Sequence, residues 1–128
     1  TMTPDELSYT ADHEWLRLND SGNAVFGITD YAQDSLGDIV YVALPAIGAE
    51  LKAGTSCGEV ESTKSVSDLF VPIDGTVVAI NSELEANPEL VNSSPYAQGW
   101  LVELEPDAPQ QIDDLLSSTD YNAIIDQA

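Results

Sequence analysis

The 128-residue sequence predicts a mainly β fold, a sandwich or barrel with helices kept to its margins. Three observations predict it. Short apolar runs recur along most of the chain, clusters of Gly, Pro, Asn and Asp separate them, and only the C-terminal segment changes to helical spacing. With 43% hydrophobic residues the chain has the material for a real core, and a body of this size buries roughly two-thirds of the surface that its unfolded form exposes. A single domain over residues 1–128 is expected.

Strands are predicted over 13–18 and 24–28, both rich in apolar and aromatic residues, with the turn sequence Asn19-Asp20-Ser21-Gly22-Asn23 between them. Thr29 can then cap a short helix over 30–36, and Gly37 stands where helices leave through a left-handed conformation. The continuous apolar run 39–43 predicts a strand covered on both faces, ended by Pro45 and Gly48. Residues 56–71 read as a hairpin: a strand over 56–61, a polar turn over 62–65 and a returning strand over 66–71. Pro72 and Gly75 precede a nearly all-apolar strand over 76–80, after which Asn87-Pro88, Ser94-Pro95 and Gly99 punctuate a long irregular connection. In a final strand over 100–105, Trp100, Val102 and Leu104 share one face and Glu103 and Glu105 the other, so it should be half buried. Ile112, Leu115 and Leu116 then fall at helical spacing, and Ile124 and Ile125 follow the capping sequence Ser118-Thr119-Asp120. Two short helices over about 107–127 are expected to form a helical edge on the outside of the sheets.

Charge is the most unusual compositional feature. Against 23 acidic residues stand Arg17, Lys52 and Lys64, for a formal net charge of -20. Nucleic acid and anionic membrane surfaces both require a basic footprint, so neither is an expected partner. The same field attracts proteins with basic surfaces and speeds their encounter; it equally suits solubility or a high-salt environment, and composition does not separate the two. No apolar run is long enough to cross a bilayer. The lone Cys57 rules out an intramolecular disulfide framework and suits a reducing compartment. No targeting peptide is visible, and with Met2 as the natural start the product is expected to stay in the cytoplasm, or in the mitochondrial matrix if the chain is a processed organellar form.

Most enzyme templates are missing: there is one histidine, one cysteine, no Gly-rich phosphate loop and no cysteine pair at zinc spacing. His13 and Cys57 lack any third group to orient them as a nucleophilic pair, and structural roles fit each better. Among 23 carboxylates, chance pairs such as Asp113-Asp114 carry no catalytic information. The 19–23 segment lacks the downstream glutamate of a calcium loop and reads as a turn, so no metal site is expected. Lys64 stands apart by context. Two strands project it at a hairpin tip, accessible to a modifying enzyme, with a flexible stem that gives an attached group reach.

Glu61-Ser62-Thr63-Lys64-Ser65, followed by Val71-Pro72-Ile73-Asp74-Gly75-Thr76-Val77, resembles the lipoyl-attachment hairpin of swinging-arm carrier domains. Tyr9-Thr10 with Asp12-His13-Glu14-Trp15, then GITDYAQDSLGDIVYVALPAIG over 27–48 and NPELVNSSPYAQGW over 87–100, resemble blocks of the glycine cleavage system H-protein family. Ser65 stands where the family often has Ala, and Cys57 where a small or aromatic residue is usual. Thr63 and Ser65 stand where biotin carriers typically place methionines, which disfavours that class.

The resemblance implies a barrel-sandwich hybrid of the lipoyl/biotinyl carrier type, with a short internal helix and short C-terminal helices. It implies a non-catalytic carrier with lipoate joined by an amide to Lys64. Its implied partners are a pyridoxal-phosphate glycine decarboxylase, a tetrahydrofolate-dependent aminomethyltransferase, a dihydrolipoyl dehydrogenase and a lipoylating enzyme. By motif, Glu14 and Asp68 would hold the ammonium of the aminomethyl cargo, with Ile28 and its apolar neighbours lining the cleft. Two other readings stay open on the residues alone: an H-like carrier in lipoate relay to another pathway, and a protein that is no carrier, either a small enzyme using His13 or Cys57 or an acidic interaction module with Lys64 unmodified.

Overall fold

The N-terminal hairpin sets the frame in a computed structural model whose described residues are 3–126. The expected start at Met2 and the last residue of the expected helical edge lie outside them. Strands β1 (Ser8–Tyr9), β2 (Glu14–Leu18) and β3 (Ala24–Ile28) pair antiparallel in sequence order. The turn between β2 and β3 forms as its composition predicts. Asn19 Oδ1 accepts the backbone N–H groups of Ser21 and Asn23 at 3.0 Å, and Gly22 takes the positive φ of 82° that the turn needs.

Thr29 caps α1 (Asp30–Leu36), its side-chain oxygen accepting the Ala32 N–H, and Gly37 ends it. The chain continues through β4 (Ile39–Ala43), β5 (Glu50–Leu51), β6 (Ser56–Ser62), β7 (Val66–Phe70) and β8 (Gly75–Ile80). A 3-10 turn (Ser82–Glu85), α2 (Leu90–Ser93), β9 (Val102–Pro106), a second 3-10 segment (Pro109–Asp114) and α3 (Ser118–Asp126) complete it. A six-stranded sheet runs β1-β2-β3-β9-β8-β5 and a three-stranded sheet β4-β6-β7. The core lies between them, with Phe26, Val60, Leu69, Ile73, Val77, Leu101 and Leu104 essentially without exposure. Tyr9, Trp15 and Tyr121 build a second cluster beneath α3.

The mainly β expectation holds, with local corrections. The 39–43 strand is not covered on both faces: Val40 and Tyr41 are 48% and 58% exposed. A register irregularity between Ile39 and Tyr41 turns two successive side chains outward, and β4 is an edge strand. The last strand begins at Val102, not at Trp100, whose N–H closes a turn onto Ala97. Val102 and Leu104 are buried as expected, while Glu103 accepts the side-chain amides of Asn19 and Asn23. The connection over 81–101 holds two short helical turns, fixed by Asn81 and Asn92 side chains bonded to backbone. Of the two C-terminal helices, the first is 3-10, and of the two late isoleucines Ile125 packs inward while Ile124 stays exposed.

Candidate functional site

Lys64 sits at the tip of the β6–β7 hairpin, where Glu61 pairs with Val66. Ser62 builds the turn. Its N–H donates to the Ser65 carbonyl at 2.8 Å, and its hydroxyl accepts the N–H groups of Lys64 and Ser65 at 3.2 and 3.1 Å. Ser62 is itself buried, beneath the exposed Thr63, Lys64 and Ser65. The Thr63 N–H donates to the Asp38 carbonyl at 3.1 Å and ties the tip to the start of β4. A short polar turn therefore becomes a rigid pedestal. The Lys64 side chain is exposed and its stem passes over Gly37: a Cβ there would stand 3.4 Å from Lys64 Cε. Among the described residues the one ion pair is Lys52 with Asp107, at 3.9 Å, which leaves the Lys64 ammonium unpaired.

Beside the hairpin lies a cavity of about 300 Å³ that gathers the other sequence-predicted residues. Glu14, Ile28 and Asp68 all line it, together with His13, Tyr31, Leu36, Val60 and Ser67. Glu14 and Ile28 meet because they are cross-strand partners in the β2–β3 register. Asp68 arrives from β7 and is exposed at the rim, whereas Glu14 is only 2% exposed. One Glu14 oxygen, Oε2, accepts the Phe70 N–H at 2.8 Å; the other, Oε1, is buried with no hydrogen-bond partner. Desolvation pushes the Glu14 carboxyl up to about 8, partly opposed by the Phe70 N–H. The group is therefore mostly protonated at neutral pH. A cation entering the cavity would supply the missing partner and favour the ionised form.

His13 and Cys57 do not form a nucleophilic pair. His13 Nδ1 lies 2.8 Å from the Tyr121 hydroxyl, and its ring packs against Tyr31. Burial lowers the His13 pKa and keeps the ring neutral. Cys57 packs against the core, and burial followed by the nearby Glu14 pushes its thiol up to about 12, so no thiolate forms near neutral pH. Sequence reasoning missed Tyr31, Leu36 and Ser67 as cavity walls, and also Tyr121, which joins His13 to Thr29 from the far end of the chain. The run over 30–36 was legible as a helix, but which of its faces meets the cavity depends on the packing of three other elements. No helix among the described residues is long and apolar enough to cross a membrane, and no group of three or more His, Cys, Asp or Glu is placed to hold a metal ion.

Comparison with known proteins agrees with this architecture. The family model described as "Glycine cleavage H-protein" matches residues 7–128. The glycine cleavage system H protein of Opitutus terrae is 52% identical over 122 residues, covering 95% of this chain and 96% of its own. That of Hydrogenovibrio crunogenus is 48% identical over 128 residues, covering 100% and 99%. The crystal structure of a glycine cleavage system H protein from Mycobacterium marinum superposes with a TM-score of 0.86 at 42% identity, covering 94% of this chain and 97% of that one. Two antiparallel sheets with a lysine-tipped hairpin define a carrier of the lipoyl type, a barrel-sandwich hybrid. The chain belongs to the glycine cleavage H-protein family, a carrier component of the glycine cleavage system.

Proposed function

We propose that Lys64 bears lipoate through an amide on Nζ. On this reading the chain shuttles the aminomethyl group of glycine from the decarboxylase to the aminomethyltransferase, and dihydrolipoyl dehydrogenase reoxidises the arm. Residues 1–128 act as one carrier domain without catalysis of their own, in the cytoplasm. Bound lipoate supplies the disulfide sulfur that accepts the cargo, and the demanding chemistry belongs to the partner enzymes and their cofactors.

The observation that carries the residue assignment is the orphaned Oε1 of Glu14, in a cavity walled by the lysine-bearing hairpin itself. An aminomethyl cargo is a cation that breaks down in water. It needs a carboxylate partner and a dry wall. Glu14 Oε1 accepts its N–H, Asp68 adds a second carboxylate at the rim, and Ile28, 6% exposed, forms part of the apolar lining with Val60 and Leu36. Glu14 Oε2 remains held by the Phe70 N–H, so the carboxyl does not need to reorganise.

Intact mass of the protein from its native host, together with reconstitution with glycine decarboxylase, tests this. The expected result is one lipoyl adduct, located on Lys64, and glycine-dependent loading that Lys64→Arg abolishes while leaving the fold unchanged. An unmodified native mass, or full loading of Lys64→Arg, would overturn the assignment. A lipoylated protein that the decarboxylase does not load would instead favour a relay carrier for another pathway.

A further inference from the structure

Resting on the reading of Lys64 as the lipoate site, we infer that the outer face of the β4-β6-β7 sheet is where the lipoylating enzyme docks, with Tyr41 and Val66 as its apolar anchors. The register places Tyr41, Glu61 and Val66 in one cross-strand row, the last row before the turn that bears Lys64. Tyr41 is 58% and Val66 56% exposed, and Val40 beside them is turned out by the strand irregularity. Scattered single apolar side chains on a surface need no explanation. Here, of seven large apolar side chains exposed among the described residues, three are on this sheet within reach of one hairpin tip.

The occupant follows from what each kind of partner has to hold. An enzyme that acts on the finished arm can grip the arm, which enters its active site. The acylating enzyme meets Lys64 bare, so its affinity must come from protein surface around the tip. It must also leave Lys52 unmodified, the one other lysine, which faces Asp107 on a different part of the molecule. Exposed carboxylates surround the apolar pair: Asp38 where Thr63 is tethered, Glu61 between the anchors, and Glu59 with Asp68 two rows further from the tip. The complementary surface is an apolar pocket rimmed by Lys or Arg, which fixes orientation and speeds encounter through charge while the two anchors supply residence. In the step served, an acyl adenylate loses its carbonyl carbon–phosphate oxygen bond as the Lys64 Nζ–carbon amide forms, AMP leaves with the bonding pair, and the Lys64 ammonium gives up two protons, one to free the attacking lone pair and one as the amide forms.

The test uses the full, unmodified chain with a lipoate ligase, ATP and lipoate, following intact mass over time. Tyr41→Ser with Val66→Thr is expected to raise KM about ten-fold, the size of effect two lost interface anchors produce, with kcat little changed. Tyr41→Phe should restore most of the loss, and the affected reaction should weaken with salt. Ile47→Ser, an exposed apolar residue outside this sheet, should have no effect. Circular dichroism matching the unsubstituted protein is expected for all variants, since each changed side chain is exposed. Glu59→Lys is a second probe that leaves the apolar pair intact, and it too should raise KM. Unchanged KM in both the double variant and Glu59→Lys would overturn the inference. Sedimentation showing a dimer that Tyr41→Ser dissolves would overturn it in favour of self-association. No acylation of the unsubstituted protein would overturn both this docking face and the reading of Lys64, and so is distinct from acylation at an unaltered KM.

Discussion

Glu14 and Phe70 join the two sheets: the Glu14 carboxyl, on the six-stranded sheet, accepts the backbone N–H of Phe70 on the three-stranded one at 2.8 Å. This bond sets the hairpin that bears Lys64 against the N-terminal strands, and it leaves the second oxygen of the same carboxyl buried without a partner, on a residue that lines the cavity. One side chain thus provides both a structural tie and a buried, unpaired acceptor. Its protonation state links them.

That link predicts a pH dependence of stability. Unfolded, Glu14 has the ordinary carboxyl pKa of 4.5; folded, burial raises it to about 8. The folded state therefore binds more protons between these values, and stability from this group is fully present below pH 4.5 and is lost as pH rises to about 8. Glu14→Gln keeps an oxygen for the Phe70 N–H and removes the titration. Denaturant unfolding across this range should show the variant losing less stability than the parent as pH rises, with the difference growing toward the alkaline end. Parallel pH profiles would show that Glu14 is ionised in the folded protein.

Loaded carrier should lose its cargo faster when either carboxylate is removed, and by unequal amounts. A hydrogen bond from a cationic donor to a buried carboxylate is worth about 1.5–3 kcal/mol, so Glu14→Ala should speed loss roughly ten-fold to a hundred-fold. Asp68 is exposed, where such pairs contribute little, and Asp68→Ala should act by no more than about five-fold. Because Glu14 has to ionise to pair with the cation, and the cation favours the ionised form, retention by the parent should improve with rising pH and level off below about 8, and that trend should vanish in Glu14→Ala. Measured release rates equal to the parent in both variants would remove the protective role.

Much of this site was legible because it is local in sequence. The strand, polar turn and strand around Lys64 lie within one hairpin, and the Thr29 cap and the turn at Gly22 are single-residue signals that formed where expected. The cavity walls were less legible. Glu14 and Ile28 meet through register, and Asp68 reaches them only after two sheets have packed, so resemblance supplied what periodicity did not. Val40 and Tyr41 were misread because a strand irregularity leaves no mark in an all-apolar run. The raised pKa of Glu14 comes from burial by residues distant in sequence, and no acidic residue announces that by its neighbours.

Gly37 should tolerate no side chain, for a backbone reason. Its φ of 85° with ψ of -158° lies in a region that only glycine readily occupies. The place is held by its N–H donating to the Gln33 carbonyl and its own carbonyl accepting from the Asn92 amide, each at 2.9 Å. Gly37→Ala should cost about 1–3 kcal/mol in denaturant unfolding. An added methyl meets Lys64 Cε at 3.4 Å, ordinary contact, so acylation of Lys64 in the folded fraction should persist. Loss of acylation at full stability would mean that the lysine stem, and not the backbone, requires the glycine.

Tyr121 provides a last prediction, since it fastens the C-terminal helix to the cavity. Its ring is fully buried and stacks on Tyr9 at 4.9 Å, and its hydroxyl lies 2.8 Å from His13 Nδ1 and 2.7 Å from Thr29 Oγ1. In the proton pattern that also uses the Thr29 hydroxyl proton, Thr29 donates to Tyr121, and Tyr121 donates to a neutral His13 at Nδ1, leaving the imidazole proton on Nε2. Burial keeps both groups neutral, lowering the His13 pKa and pushing the Tyr121 phenol up to about 12. Because folded His13 binds its proton less readily than the unfolded side chain, this group's stability is present above pH 6.5 and is lost as pH falls below it. Tyr121→Phe keeps the stack but strands the His13 and Thr29 acceptor and donor, and should cost about 1–3 kcal/mol. Nitrogen NMR of His13 should find the Nε2–H tautomer dominant in the parent at pH 8 and a mixture in the variant. An unchanged tautomer ratio with unchanged stability would show that the ring stack alone secures the helix.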